Sequence, residues 1–138
     1  MADKKNPFEG FEVISVYTRA QAIADGVLHD VSMTAKECGF RIPLAITDTI
    51  WSRWIEASPE LQEYGQSTES RLRDLLIVLW VKIRALPKDA TPRRLAFRVR
   101  FLMDAAHERC EEPELTADIG PGDEGEPVLT ILIPEYDD

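Results

Sequence analysis

One stretch of the chain, residues 68–86, constrains the fold more than any other. Its leucines and isoleucines recur at the three- and four-residue spacings that place side chains on one face of an α-helix. Ser67 or Thr68 can cap the start of this helix, and Pro87 ends it. Further apolar residues widen the stripe, namely Ile77, Val78, Trp80 and Val81. We therefore expect a long core helix that is covered on more than one side.

The composition is typical of one globular domain. The 138 residues are 44% hydrophobic and 30% charged, which suits a chain that buries a single core. Residues 1–10 are polar and contain Pro7 and Gly10, so they are expected to form a flexible leader. We therefore predict a single globular domain over residues 11–138.

Three features indicate a cytoplasmic protein. The lysines near the N-terminus are followed by no apolar run, so we expect no signal peptide. The longest strictly apolar run, residues 75–81, is far shorter than a membrane span. Two cysteines, Cys38 and Cys110, do not form a disulfide framework, and a reducing compartment is the simpler interpretation.

Short elements precede the long helix. Residues 12–17 are β-branched and aromatic and predict a strand. Thr18 and Gln21 have the spacing of a capping box, for a helix that Gly26 ends. The next predicted elements are a strand at 27–31, a helix from Ser32 or Thr34 to Gly39, an extended segment at 40–46, a helix from Thr47 or Asp48, and a helical turn from Ser58 to Gly65. Pro43 confines the extended segment to a sheet edge or to irregular structure.

After Pro87 the apolar residues recur with a period of two. Residues 95–103 predict one strand with a single buried face, and residues 107–113 a connection. Residues 114–119 and 127–133 predict the two strands of a hairpin. Strands at both ends with helices between them predict an α+β fold. Its mainly antiparallel sheet packs against one long and several short helices.

Charge is distributed unevenly along the chain. The net charge is −9, yet residues 111–138 hold ten acids and no base, whereas residues 71–109 hold ten bases and four acids. The chain therefore has a basic middle and an acidic end.

The basic middle includes a strand rich in arginine, which is the most suggestive binding surface in the sequence. Its candidate binding residues are Arg93, Arg94, Arg98 and Arg100. Alternation places Phe97 and Phe101 on the opposite face from Arg98 and Arg100, so aromatic and basic groups are separated. If residues 114–118 pair with this strand, ion pairs form across it. These pairs would fix the register of the two strands.

Motifs for metal binding or catalysis are weak. The candidate metal ligands are His29, Cys38, His107 and Cys110, but the spacing from His29 to Cys38 is not that of a zinc loop. Either cysteine could pair with a histidine as a nucleophile and base, but no flanking sequence marks one. The sequence contains no GxSxG, HExxH, phosphate-binding loop or GxGxxG. We predict no metal and no cofactor.

The segment around Tyr17 and Arg19 carries an enzyme hypothesis. A strand, a polar corner and a short helix before Gly26 resemble the opening of ADP-ribosyltransferase-type folds. The resemblance implies a nicotinamide site, but the histidine, tyrosine and glutamate that would complete it are not found downstream. The alternative is that Thr18 and Gln21 cap a helix while Arg19 points to water or to an acid.

The chain resembles an uncharacterised bacterial family of small proteins in three longer blocks. These blocks are ISVYTRAQAIADGVLHDVS (14–32), CGFRIPLAIT (38–47) and GPGDEGEPVLTILIPE (120–135). The family is associated with plasmids and integrating mobile elements. The resemblance covers most of the chain, and it implies a bacterial accessory protein. It implies no activity, cofactor or catalytic residue.

Three classes of function follow. The first is a non-enzymatic module that binds another protein through the arginine-rich strand and the acidic C-terminal hairpin, with a homo-oligomer left open. The second is related to nucleic acid, either a binder through the strand from Arg93 to Arg100 or a DNA mimic through the acidic C-terminal hairpin. The carboxylates of the mimic would be Glu111, Glu112, Glu114 and Asp118. The third is an enzyme with its site near Tyr17 and Arg19.

Overall fold

A computed structural model of the chain describes residues 17–137. The predicted leader at 1–10 lies outside the described residues. The strand predicted at 12–17 also lies outside them, except for Tyr17, which belongs to no strand.

The described residues form short helices and strands around one long helix. The helices are α1 Arg19–Ala24, α2 Ser32–Glu37, α3 Asp48–Ile50, α4 Pro59–Glu63, α5 Thr68–Arg84 and α6 Pro134–Asp137. The strands are β1 Leu28–Asp30, β2 Leu44–Thr47, β3 Arg94–Arg98, β4 Phe101–Asp104, β5 Arg109–Glu111, β6 Glu114–Pro121 and β7 Pro127–Leu132. Helix α3 continues as a π-helical turn, Trp51–Ile55, which the spacing of its apolar residues did not indicate.

Five strands form one sheet in the order β1-β2-β7-β6-β3. All neighbours are antiparallel except β2 and β7, which run parallel. The predicted α+β fold with a mainly antiparallel sheet is confirmed. The prediction that residues 40–46 lie at a sheet edge or form irregular structure is wrong for residues 44–46, because β2 lies inside the sheet. Pro43 precedes β2, so its missing amide removes no bond from the strand, and its carbonyl accepts a bond from Leu129 N at 2.9 Å.

The two faces of the sheet are covered by different helices. Alternate residues of β2, β7, β6 and β3 point into one core with the leucines of α5, namely Leu44, Ile46, Leu129, Ile131, Leu115, Ala117 and Phe97. On the opposite face, α1 is fastened to β7 by the side chain of Arg19.

Helix α5 begins at a capping box, in which Ser67 and Ser70 exchange bonds between side chain and amide. Its buried apolar residues are Leu72, Leu75, Leu76 and Leu79. The prediction that its other apolar residues are covered is wrong within residues 17–137. Ile77, Val78 and Val81 are 51%, 37% and 60% exposed. No helix in this part of the chain is long and apolar enough to cross a bilayer.

The strand predicted at 95–103 is two strands. Strand β3 belongs to the five-stranded sheet, whereas β4 leaves it and pairs with β5, which falls within the predicted connection at 107–113. Every second residue stays buried where β3 ends and β4 begins, since Phe97, Val99 and Phe101 are all buried. The period of two therefore continues while the pairing partner changes.

Candidate functional site

The arginine-rich strand lies beside the acidic hairpin, as the charge pattern predicts. Strands β3 and β6 are antiparallel, and Arg94 is opposite Asp118. Arg94 Nε donates to Asp118 Oδ2 at 2.9 Å, and Arg93 Nε donates to Oδ1 at 3.4 Å. The Asp118 side chain is only 12% exposed, so it is held between both guanidinium groups. The pairing across the two strands is confirmed.

The other two arginines of the predicted surface point to solvent. Arg98 lies opposite Glu114 in the register, and neither it nor Arg100 makes an ion pair with any residue from 17 to 137. Phe97 and Phe101 are buried in the core on the opposite face. The predicted separation of aromatic and basic groups is confirmed, so no stacking platform lies beside these arginines.

The outer edge of β3 presents backbone hydrogen-bonding groups. Ile119 N donates to Arg93 O, and Val99 N donates to Pro113 O, which sets the phase of the pairing with β6. Because bonded residues alternate in an antiparallel pair, Ala96 and Arg98 direct their amide and carbonyl groups away from β6. Both residues are exposed, and among residues 17–137 no strand pairs with this side of β3. Within the described part of the chain, it is therefore an open sheet edge.

A groove of about 470 Å³ lies between this edge and helix α5. We call it the edge groove. Its helix side is formed by Val78, Val81, Lys82 and Ala85, and its strand side includes Ala96 and Arg98. Exposed apolar residues on the helix therefore lie directly beside open backbone groups on the strand.

A second, apolar cavity of about 450 Å³ lies under the C-terminal end of α5. Ile83 and Leu86 of the helix segment face Leu95 and Ile119 of the sheet across it. Arg93 is the charged residue at its margin and is held by Asp118. This cavity and the edge groove flank β3 at different points along the strand.

Arg19 and the segment before it fasten α1 to the sheet. The predicted capping box at Thr18 and Gln21 is present. Arg19 Nη1 donates to Thr130 Oγ1 at 2.7 Å, and Nη2 donates to Leu129 O at 3.1 Å. Partial burial lowers the pKa of Arg19, although nearby carboxylates oppose the change. The guanidinium donates its hydrogen bonds to uncharged groups of β7, while Asp30, Asp123 and Glu126 lie near enough to act on its charge.

Tyr17 lies at the exposed start of the described chain. Its hydroxyl donates to Asp25 Oδ2 at 2.6 Å, and this bond to a carboxylate raises the pKa of Tyr17. The cavity beside Arg19 measures about 200 Å³, which is smaller than most small-molecule sites. The geometry around these two residues favours a structural role.

The histidines and cysteines proposed as ligands are dispersed. His29 stacks on Trp51 with ring centroids 4.6 Å apart, and its Nε2 lies 2.8 Å from Asp48 Oδ1. His107 Nδ1 lies 2.8 Å from Asp104 Oδ2. These contacts lower the pKa of each aspartate, chiefly through the histidine hydrogen bond. Cys38 and Cys110 are half-buried free thiols. Within residues 17–137, no three side chains converge as metal ligands would.

Two of the four carboxylates considered for DNA mimicry are bound locally. Glu111 accepts a bond from Trp54 Nε1 at 2.9 Å and another from Arg109 at 3.0 Å. Asp118 is held by the arginines of β3. Glu112 and Glu114 are exposed. The acidic end is therefore engaged in part with the fold itself.

The edge groove contains functional candidates that the sequence reasoning missed. Arg98 was predicted, but Val78, Val81 and Ala96 were not. The signal was present, since α5 carries more apolar residues than one buried face can use. Whether these residues are exposed depends on the position of β3 relative to α5, and the sequence pattern of the helix does not indicate that position.

Comparison with known proteins identifies a family and no activity. The model of a family of unknown function, DUF6573, matches residues 4–137. No curated protein and no solved structure matches the chain. The resemblance to an uncharacterised family is therefore confirmed at that level.

Proposed function

We propose, from the premise that the chain belongs to the DUF6573 family of unknown function, that it is a non-enzymatic protein-binding module. In this proposal an extended segment of another protein adds as a strand to the outer edge of β3 and covers the exposed apolar residues of α5. Main-chain hydrogen bonds supply affinity in this mode of recognition, and pockets for alternate side chains supply specificity.

One observation carries the proposal: an open strand edge lies beside exposed apolar residues in the edge groove. An unpaired edge is a template for another strand. Exposed apolar residues that lie together mark interaction surfaces. Ala96 supplies the outward backbone groups, and Val78 and Val81 supply the apolar contact.

Charge on β3 favours a different protein over a second copy of this chain. Two β3 edges pairing antiparallel around Ala96 would place Arg94 of one copy opposite Arg98 of the other. Like charges directly opposite each other destabilise a strand pair. The arginines therefore work against self-pairing while leaving the edge open to other strands.

The setting of the proposal is the bacterial cytoplasm and the accessory genes of plasmids or mobile elements. The support is the sequence resemblance, together with two free thiols, Cys38 and Cys110, that fit a reducing compartment. A survey of the genes that neighbour family members would test it. Chromosomal housekeeping neighbours throughout the family would contradict the mobile-element origin.

The other two classes of function stay predictions, with less support from the geometry. Phe97 lies on the far side of β3 from Arg98, Asp118 is bound by arginines, and Arg19 holds α1 to the sheet. Each of these side chains has a structural partner that its proposed role would require it to leave.

The proposal is tested by panning a random peptide library on the immobilised full chain and measuring the selected peptides against Ala96→Pro and Ala96→Ser. Proline removes the outward amide without removing a β3–β6 bond, whereas serine keeps the amide. We expect Ala96→Ser to bind like the wild type and Ala96→Pro to bind about tenfold more weakly. Equal binding by both variants, or no selected peptide, contradicts the proposal.

A second pair of variants covers the case in which Ala96→Pro fails to fold. Val81→Gln should weaken the same peptides about tenfold, because it removes apolar contact in the edge groove. Met33→Gln is the matched control, since Met33 is 84% exposed on α2. An equal effect of the two changes is evidence against the site. Two results would overturn the proposal, because each would show that this chain covers its own edge. One is a dimer in sedimentation that Ala96→Pro dissociates. The other is peptide binding that occurs only after removal of residues 1–16.

A further inference from the structure

We infer that the segment captured by the edge groove is an extended strand in which acidic and apolar residues alternate. This inference rests on the proposed function and names the chemistry of its partner. It follows from the two different environments that flank the outer edge of β3.

The first step is the geometry of an added strand. Successive side chains of a strand point to opposite faces of the sheet. In a strand paired with the outer edge of β3, one set of side chains therefore lies on the α5 side. The other set lies beside Arg94, Ala96 and Arg98, which form the opposite face of β3.

The α5 side of the edge groove is mainly apolar. Val78, Val81 and Ala85 line the edge groove there, and Val81 is 60% exposed. Every second residue of the partner strand meets this surface. Apolar side chains at those positions remove both surfaces from water, which is favourable in proportion to the area buried.

The face of β3 opposite α5 is basic. Arg98 and Arg100 are exposed and make no ion pair within residues 17–137. The acids facing this surface are Glu114, which lines the groove, and Asp118, which Arg93 and Arg94 share. Among residues 17–137 these two acids are fewer than the arginines of this segment, so the other residues of the partner strand are expected to be aspartate or glutamate.

The two requirements alternate along the same strand. A partner with acidic residues on the arginine side and apolar residues on the α5 side satisfies both at once. A partner with lysine in place of the acids would place like charges side by side, at a cost comparable to the gain of the acidic pairs. The edge groove therefore distinguishes partners by charge as well as by shape.

The inference is tested with three labelled synthetic peptides and the full chain, by fluorescence anisotropy. One peptide alternates valine and glutamate, one alternates valine and lysine, and the third has the composition of the first with its valines and glutamates in separate blocks. We expect the alternating acidic peptide to bind about tenfold more tightly than either of the others. Its affinity should also fall as salt is added.

Variants identify the charges responsible. The double change Arg98→Gln and Arg100→Gln should remove most of the preference for the acidic peptide. Arg41→Gln is the control, since Arg41 is exposed and lies outside the edge groove. A preference that survives the double change, or that disappears equally in the control, overturns the inference.

The outcomes separate this inference from the proposed function. If all three peptides bind equally and Ala96→Pro weakens all of them, strand addition stands and the acidic preference is wrong. If the acidic peptide binds Ala96→Pro as tightly as the wild type, its binding is not strand addition at β3. That result overturns both proposals.

Discussion

Arg71 is a charged residue in the interior of the protein, with only 2% of its surface exposed. Its Nε donates to Trp54 O at 2.7 Å, and its Nη1 donates to Leu102 O at 2.8 Å. The guanidinium carbon also lies 5.3 Å from the centre of the Phe101 ring. Burial lowers the pKa of Arg71, and the negative charge of Asp74 opposes that change. One side chain thus joins α5, the π-helical turn and β4.

Replacing Arg71 should destabilise the fold strongly. Arg71→Ala leaves two carbonyl groups without their donor and creates a cavity, so we expect the free energy of unfolding to fall by about 3 kcal/mol. Chemical denaturation followed by circular dichroism measures this change.

The control is Arg73→Ala on the same helix, where the exposed guanidinium pairs with Glu37 and Glu69. An exposed pair of this kind contributes little to stability, so this variant should lose much less than Arg71→Ala. Equal losses for the two variants would show that the buried bonds of Arg71 contribute little.

Glu111 is expected to make the stability of the protein depend on pH. The bond from the Trp54 indole, followed by Arg109, lowers the pKa of Glu111, although partial burial opposes this. A carboxyl whose folded pKa is depressed contributes stability above its unfolded pKa, and that contribution is lost as the pH falls through the folded value. Acidification below about pH 4.3 should therefore lower the melting temperature.

The comparison of two neighbouring variants isolates this effect. Glu111→Gln keeps an acceptor for Trp54 but has no carboxyl to titrate, so its melting temperature should fall less steeply in acid. Glu112→Gln, at an exposed position, should follow the wild type. Melting curves recorded across the acid range decide between the two, and parallel slopes for all three proteins would contradict the assignment.

At the scale of elements, helix α1 is held by the loop of the β6–β7 hairpin. The amides of Arg19 and Ala20 donate to the two carboxylate oxygens of Asp123 at 2.7 and 3.0 Å. These amides belong to the first turn, where a helix leaves donors unsatisfied and favours negative charge. The hairpin at one end of the chain thus completes a helix at the other.

Removing that carboxylate should loosen α1 and little else. Asp123→Ala is expected to cost about 1 kcal/mol, as the loss of a helix cap does. Hydrogen exchange of the α1 amides should accelerate while that of α5 stays unchanged. Glu124→Ala is the matched control in the same loop, and an equal effect there would contradict the role of Asp123.

The element pattern was readable from the sequence where local chemistry sets it. Thr18 and Gln21 act through bonds within one helical turn, and the predicted capping box is present. The turn predicted to start at Ser58 is also present, and the Ser58 hydroxyl accepts a bond from Leu61 N. The division between β3 and β4 was not readable. The burial of alternate residues is the same on both sides of Arg100, because a period of two records which face is covered and not which strand is the neighbour.

At the scale of the whole molecule, the sequence was sufficient for the fold class and insufficient for the candidate site. The opposite charges of β3 and β6 predicted their pairing, because each strand carries its own half of the signal. The parallel pairing of β2 with β7 joins distant segments that carry no matching charges. The edge groove depends on both helix and sheet, so neither α5 nor β3 could indicate it alone.

The position of β7 in the sheet has a consequence for folding during synthesis. Among the strands described, β7 is synthesised last, yet it lies at the centre of the sheet between β2 and β6. We therefore expect a growing chain on the ribosome to expose the apolar faces of β2 and α5 until residue 132 has emerged. Such faces attract chaperones and proteases. A ribosome that stalls before residue 127 releases a polypeptide without the strand that joins its two halves, and the cell is expected to degrade it.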